Sequence, residues 1–327
     1  MRARSLVLIV LTVLLTDLSC LRAQVRPQFS MTADYDLFIN PSRAGADTEL
    51  RATAAHRSQY VGLGGRAIST QYLGVHAPIA SPSFGAGLHL VNDRIGLQRF
   101  TAVTANGAWH VDLGDHRLST GLGVGIVQMS LDGAALRAPD GTYDGGIDHV
   151  DDVLPEEQVG GAGITADVGV SIRFDWGTTL GVTVLNIPNA AVALGGSGTE
   201  TKTRLGRTIY LHGEHVLDLT DDIGMTFFAA YKTDLVEHQT HLRIRTDIKK
   251  VWIGAGYRGF SAATNDALLA QFGFTVRDRV DVGYGYDIGL SGLATDHSGS
   301  HEIRVRYVLP IGFTPRRPAV NHDPRYL

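Results

Sequence analysis

Three stretches of the chain carry residue types that could do chemistry. Asp140-Gly-Thr-Tyr-Asp144-Gly-Gly-Ile-Asp148 offers carboxylates that calcium could use. An EF-hand loop needs oxygen ligands at alternate positions and a closing Glu, so this run reads better as a solvated acidic loop. His212, Glu214 and His215 stand close together. In a strand, however, His212 shares a face with Glu214 while His215 points the other way. None of the 13 histidines belongs to an HExxH helix or a compact cluster, so no metal site is expected. Gly161-Ala-Gly163-Ile-Thr-Ala166 matches a loose dinucleotide fingerprint. That motif needs a strand before it and a helix after it, whereas here strand-like alternation runs on through Phe174. A GxSxG nucleophile elbow is absent. The expectation is a protein with no catalytic residues, no cofactor and no metal, and not an enzyme.

The elements that position these residues follow from composition and periodicity. Net charge is −4, near balance, which gives no reason to expect nucleic acid as a partner. Arg2 and Arg4, the apolar run Leu6 to Leu15, and Leu21-Arg22-Ala23 form the three parts of a secretory signal. Residues 1–23 are therefore expected to be a cleaved signal peptide, with the mature chain starting at Gln24. Cys20 fails as a lipidation site because Asp17 stands where an apolar residue is needed. It is the only cysteine, so the mature chain would have neither disulfides nor a cysteine metal site. No later apolar run is long enough for a transmembrane helix.

Strands can cross a membrane without such a run, because alternation hides their hydrophobicity. From Glu302 to Leu309, Ile303, Val305, Tyr307 and Leu309 alternate with Glu302, Arg304 and Arg306. One face is apolar and the other ionic, as suits a lipid-facing wall around a wet lumen. The pattern recurs in Val103–Asp112, His241–Asp247 and Val280–Asp287. In Leu118–Ser130, Leu122, Val124 and Ile126 face Gly121, Gly123 and Gly125 across the strand, which suggests curvature or close packing of lumen contents. About fourteen such segments run from 48–58 to 299–310, with strands drawn at 163–175, 177–187 and 204–217. Asn92-Asp93, Gly114-Asp115, Asp221-Asp222 and Arg277-Asp278 read as turns between them. The predicted fold is all-β: a transmembrane up-and-down antiparallel barrel spanning 48–310, since only a closed sheet leaves no edge in lipid. Residues 24–47 lead into it, and 311–327 form a periplasmic tail. Asp132–Gly163 is the one long insertion, and strand alternation puts it outside the cell.

Pro27-Gln28-Phe29-Ser30, Phe38-Ile39-Asn40-Pro41 with Ala44-Gly45, and Arg57-Ser58-Gln59-Tyr60 resemble the opening of PorP/SprF-type membrane proteins. Gly87 to Gly96, including Asn92, Asp93 and Gly96, resembles that family's third strand and turn. Val251-Trp252 through Tyr257-Arg258, then Gly283 to Ile288 with Asp287, and Gly299 to Ile303 with His301 and Glu302, are similar to its closing strands. The added tail and the acidic loop depart from the family pattern. The resemblance implies an accessory outer-membrane barrel of type IX secretion that handles a secreted cargo, with links to gliding-motility adhesins in some relatives. Its implied partners are the cargo's targeting domain, other secretion components and outer-membrane lipid; no catalytic residue is carried over.

These hallmark positions also have structural readings. Asn92-Asp93 would be a hairpin turn, and Trp252 and Tyr257 part of an interfacial aromatic belt. Arg258, Asp287, His301 and Glu302 would pair charges in the lumen. The candidate partner-binding residues are those of the acidic loop: Asp140, Asp144, Asp148, Asp151, Asp152, Glu156 and Glu157, with calcium as one means of neutralising them. The alternative function is a diffusion porin or solute transporter.

Overall fold

The computed structural model describes residues 26–62, 68–151, 154–195, 200–259, 265–290 and 297–312. The expected signal peptide, most of the tail and Asp152 lie outside them. The strands are β1 (Glu49–Gln59), β2 (Ile68–Ile79), β3 (Ser81–Ile95), β4 (Gln98–Leu113), β5 (His116–Asp132), β6 (Gln158–Arg173), β7 (Thr178–Leu185), β8 (Ala191–Gly195) and β9 (Glu200–Arg204). They continue as β10 (Thr208–Thr220), β11 (Ile223–Thr233), β12 (His238–Ile248), β13 (Val251–Gly259), β14 (Asn265–Val276), β15 (Val280–Gly289) and β16 (Ser300–Pro310). All neighbours pair antiparallel, and β1 pairs with β16, which closes a barrel of fourteen strands. The other two, β8 and β9, form a hairpin that is not among the ring's strands.

The pleat decides which side chains meet lipid. Ile126 is 63% exposed on the outer wall, while its neighbour Val127 is 1% exposed and faces inward. Leu122, Val124, Ile303 and Val305 join the outer band, and Arg304 and Glu302 face the lumen, as their alternation predicts. One rim carries the tight turns, including Gly114-Asp115 and Asp221-Asp222. The other carries the long segments 133–157 and 186–207.

Three expectations need correction. Asn92 and Asp93 are not a turn: β3 runs through them to Ile95, and the turn is Gly96-Leu97, where Gly96 has φ +59°. The long insertion ends earlier than Gly163, because Gln158 already pairs with Asp132 and Val159 with Leu131. The hairpin of β8 and β9 falls between the strands drawn at 177–187 and 204–217. It touches the sheet through one bridge, Gly160 to Gly195, and lays Val192 and Leu194 against Ala102, Val127, Met129, Val159 and Leu205. β6 extends beyond the end of β7, and the hairpin folds over that free stretch as a flap at the long-loop mouth.

The largest departure is inside. The lumen is packed, not merely wet. Residues 26–47 thread it as a plug of short helical turns, Thr32–Asp34, Asp36–Ile39 and Pro41–Arg43. Phe29, Met31, Tyr35, Phe38 and Ile39 are buried against Ala55, Tyr72, Val91, Leu185, Tyr210, Phe228, Ala230 and Trp252. A soluble protein's core is thus placed within a membrane wall. Inward glycines make the fit possible, since a Cβ on Gly85 would overlap the Ala44 carbonyl, and one on Gly121 the Ser42 backbone. Gly121→Val should therefore unseat the plug at a cost of about 1–3 kcal/mol. Gly107→Val, on the outer face of β4 with nothing near its Cβ, should be neutral. Urea midpoints of the two variants in detergent check the difference.

Candidate functional site

The plug is held by a clasp of buried charge. At its upper end Ser30 and Met31 donate their backbone N–H groups to Glu302 at 2.6 and 3.0 Å. The Tyr35 hydroxyl donates to the same carboxylate at 2.7 Å. Gln271 donates to the Ser30 carbonyl at 2.7 Å, and Arg57 donates to the Ser30 hydroxyl. Every polar group of Ser30 is thus met by the wall, as a buried backbone demands. Behind Glu302, Arg57 pairs with Asp287 at 2.7 Å, and Arg258 reaches the same Asp287 oxygen at 2.8 Å. Glu302, Arg57, Arg258 and Asp287 are all buried.

Below this, Asp34 of the plug lies within ion-pair distance of Arg243, Arg304 and Arg306, at 3.2, 3.3 and 3.5 Å. Asp36 meets Arg51 at 2.7 Å and Arg43 at 2.9 Å, with His76 at 3.4 Å. Burial alone would raise both carboxyls, but Arg243, Arg304 and Arg306 hold Asp34 well below the usual range, and Arg43 and Arg51 do the same for Asp36. A lowered folded-state pKa stabilises docking at any pH above the unfolded value near 4. That stabilisation is lost progressively as pH falls from the unfolded value through the lower folded one. Further down, Asn40 caps the Pro41–Arg43 turn through the Ser42 amide at 2.9 Å, and Pro41 fills the first helical position. The Asn40 side chain also donates to the Val170 carbonyl at 3.2 Å and meets His212 Nε2 at 3.1 Å. Ser42 and Ser171 share a hydrogen bond of 2.8 Å.

The hallmark positions thus divide between plug, inner wall and outer wall. Asn40, Pro41, Arg258, Asp287 and Glu302 belong to the clasp. Trp252 is not in an interfacial belt. It is 1% exposed inside the lumen, donates its indole N–H to Asp281 at 3.2 Å, and lies under the Arg245 guanidinium, 4.2 Å from the ring centroid. Tyr257 shares the outward parity of Val251 and Ile253 and is half-buried. His301 is not in the lumen network; it sits on the outer face, where its ring meets the Tyr284 hydroxyl at 2.6 Å. Asp93 is buried in the lumen and accepts from Thr70 at 2.5 Å, while Asn92 bonds Gln71 and Thr101 on the opposite face. Arg57, Asp34 and Asp36 are clasp members that strand patterning did not single out as site residues.

The acidic loop is folded. His149 is buried, donates toward the Gly133 and Pro155 carbonyls at 3.2 and 3.1 Å, and meets the Tyr143 hydroxyl at 3.2 Å. Thr142 and Asp148 exchange backbone hydrogen bonds of 2.8 and 3.0 Å, which closes a small hairpin. Around this frame Asp140, Asp144, Asp148, Asp151, Glu156 and Glu157 are exposed. Among the described residues no group of three or more His, Cys, Asp or Glu side chains could hold a metal ion.

The family described as type IX secretion system membrane protein PorP/SprF matches residues 21–307. The chain belongs to the PorP/SprF family. As such it is an outer-membrane barrel of type IX secretion. No curated protein matches it. Among solved structures the CymD monoaromatic hydrocarbon channel is 11% identical, with a TM-score of 0.51 over 87% of this chain and 94% of that one. The Acinetobacter baumannii outer membrane protein Omp33 is 8% identical, with a TM-score of 0.45 over 81% and 99%. At such identity CymD shows a shared barrel fold and nothing more.

The PorP/SprF clasp gives a direct test. Glu302→Gln offers N–H donors where three donors already converge, and it leaves Arg57 with Asp287 alone. Breaking a buried pair costs about 3 kcal/mol or more, so a single cysteine placed at Ala33 in the plug should react with maleimide on the order of 100-fold faster in this variant. Glu156→Gln in the exposed loop should leave the labelling rate unchanged.

Proposed function

We propose that this PorP/SprF barrel is an accessory component that binds or anchors the targeting domain of a secreted cargo at the cell surface, a gliding-motility adhesin being one such cargo. The occupied lumen supports this reading most directly. With Phe29, Tyr35 and Phe38 filling the barrel, the surfaces left for a partner are its rims and the flap. A diffusion porin or solute transporter, the alternative, needs a continuous aqueous path through the closed barrel. The role is one of binding, and we assign it no catalysis.

The partner surface we favour is the acidic loop with Asp140, Asp144, Asp148, Asp151, Asp152, Glu156 and Glu157. Tight turns face the periplasm and longer loops the outside in barrels of this kind, which would place the loop at the cell surface. A loop braced by a buried histidine presents its carboxylates with less entropy to lose on binding than a free one. The complementary surface on the cargo would be basic; calcium bridging to an acidic cargo is the variant of this idea. Other secretion components would meet the tight-turn rim. Replacing residues 138–154 by a short Gly-Ser linker spares Gln158 and Val159, which pair in the barrel. The barrel should keep its heat-modifiable folded band while surface retention of the cargo is lost. Unchanged cargo display would move the binding site to another surface.

A further inference from the structure

The wall around Asp34 holds more positive charge than the plug neutralises. Arg243, Arg245, Arg304 and Arg306 project into the lumen there. On the wall itself Asp247 and Asp281 are the carboxylates that pair with them, with Arg245 touching both and Arg304 touching Asp281. Asp34 from the plug is the third carboxylate, shared by three of the four guanidinium groups. Even so, Nε and Nη1 of Arg243, Nη1 of Arg304 and Nε of Arg306 are buried without a hydrogen-bond partner among the described residues. Buried guanidinium groups with unmet donors form a site for oxyanions, since each N–H left bare in a dry interior is costly. Asp34 fills that site only partly.

The plug is continuous with the wall only through the chain at Asp47 and Thr48; its other contacts are side-chain clasps and packing. Eight strands already make a barrel that side chains can fill, so a ring of fourteen emptied of residues 28–44 would leave a water-filled path. Its wall at the level of Asp34 would then carry four guanidinium groups against two carboxylates. Such a ring raises the local concentration of anions and repels cations.

We propose that the barrel holds a latent anion-selective pore, in which the plug acts as a built-in occupant of an arginine-lined oxyanion site that carboxylate or inorganic anions reach when the plug is displaced. The inference rests on the lumen alone and stands or falls separately from cargo binding.

Planar-bilayer recording tests it, with KCl as the probe. The resting wild type should show no steady conductance. A variant lacking residues 28–44, shown to be folded by heat modifiability, should conduct steadily, with a reversal potential in a KCl gradient that reports chloride over potassium. Adding Arg304→Gln and Arg306→Gln should move that ratio toward one or below. A folded deletion variant that stays closed, or that prefers potassium, overturns the proposal. The deletion removes core residues, so a second arm keeps the full chain. Ser42→Cys with Ser171→Cys places thiols where two hydroxyls now lie 2.8 Å apart. Voltage-driven, chloride-selective openings should appear in the reduced protein, vanish on oxidation and return on reduction. Absence of openings in the reduced protein, or openings indifferent to the disulfide, overturns it as well.

Discussion

Glu302 has no exposure to solvent, and its carboxylate survives there only because three donors of the plug and the Arg57 guanidinium meet it. A buried ion left without such partners costs several kcal/mol. The dependence runs both ways. The plug's backbone at Ser30 and Met31 has left water, and neither belongs to a helix or sheet ladder that could satisfy it. Wall and plug therefore complete each other's hydrogen bonding where the docked plug excludes water.

The same constraint explains why the lumen carries so much charge. Fourteen strands enclose more space than inward side chains can fill, and the membrane-facing side of the wall is already committed to apolar residues. The chain fills the gap with its own first residues. An apolar core cluster, Phe29, Tyr35, Phe38 and Trp252, supplies packing, while Asp34 and Asp36 dock against arginines to fix register along the axis. Glycines at Gly85 and Gly121 let the plug backbone lie against the wall. The result separates two surfaces: an interior packed by the plug, and rims beyond it.

The barrel was legible in the sequence because strands such as β16 alternate an apolar outward face with a polar inward one, and that pattern survives without any knowledge of pairing. Parity along a strand would also have sorted the misread hallmarks. Trp252 stands between Val251 and Ile253 and so shares the inward face with Arg258, while His301 shares the outward face of Ile303 and Val305. The plug was opaque for a physical reason: it is buried all round, in turns too short for a helical period, so no face is marked as polar. The hairpin of β8 and β9 was missed because its strands are five residues each and rich in Ala, Gly and Thr. The fold of the acidic loop turns on His149, whose partners are mostly backbone carbonyls that no residue pattern reveals.

Hydrogen exchange of the plug amides tests the central claim most directly. In the folded barrel in detergent, mass spectrometry of the peptide spanning residues 28–40 reads how often Ser30 and Met31 release their protons from Glu302. Protection comparable to that of β16 is the result expected of a plug clasped within the wall. Exchange as fast as that of an exposed loop, in a barrel whose strands remain protected, would contradict it.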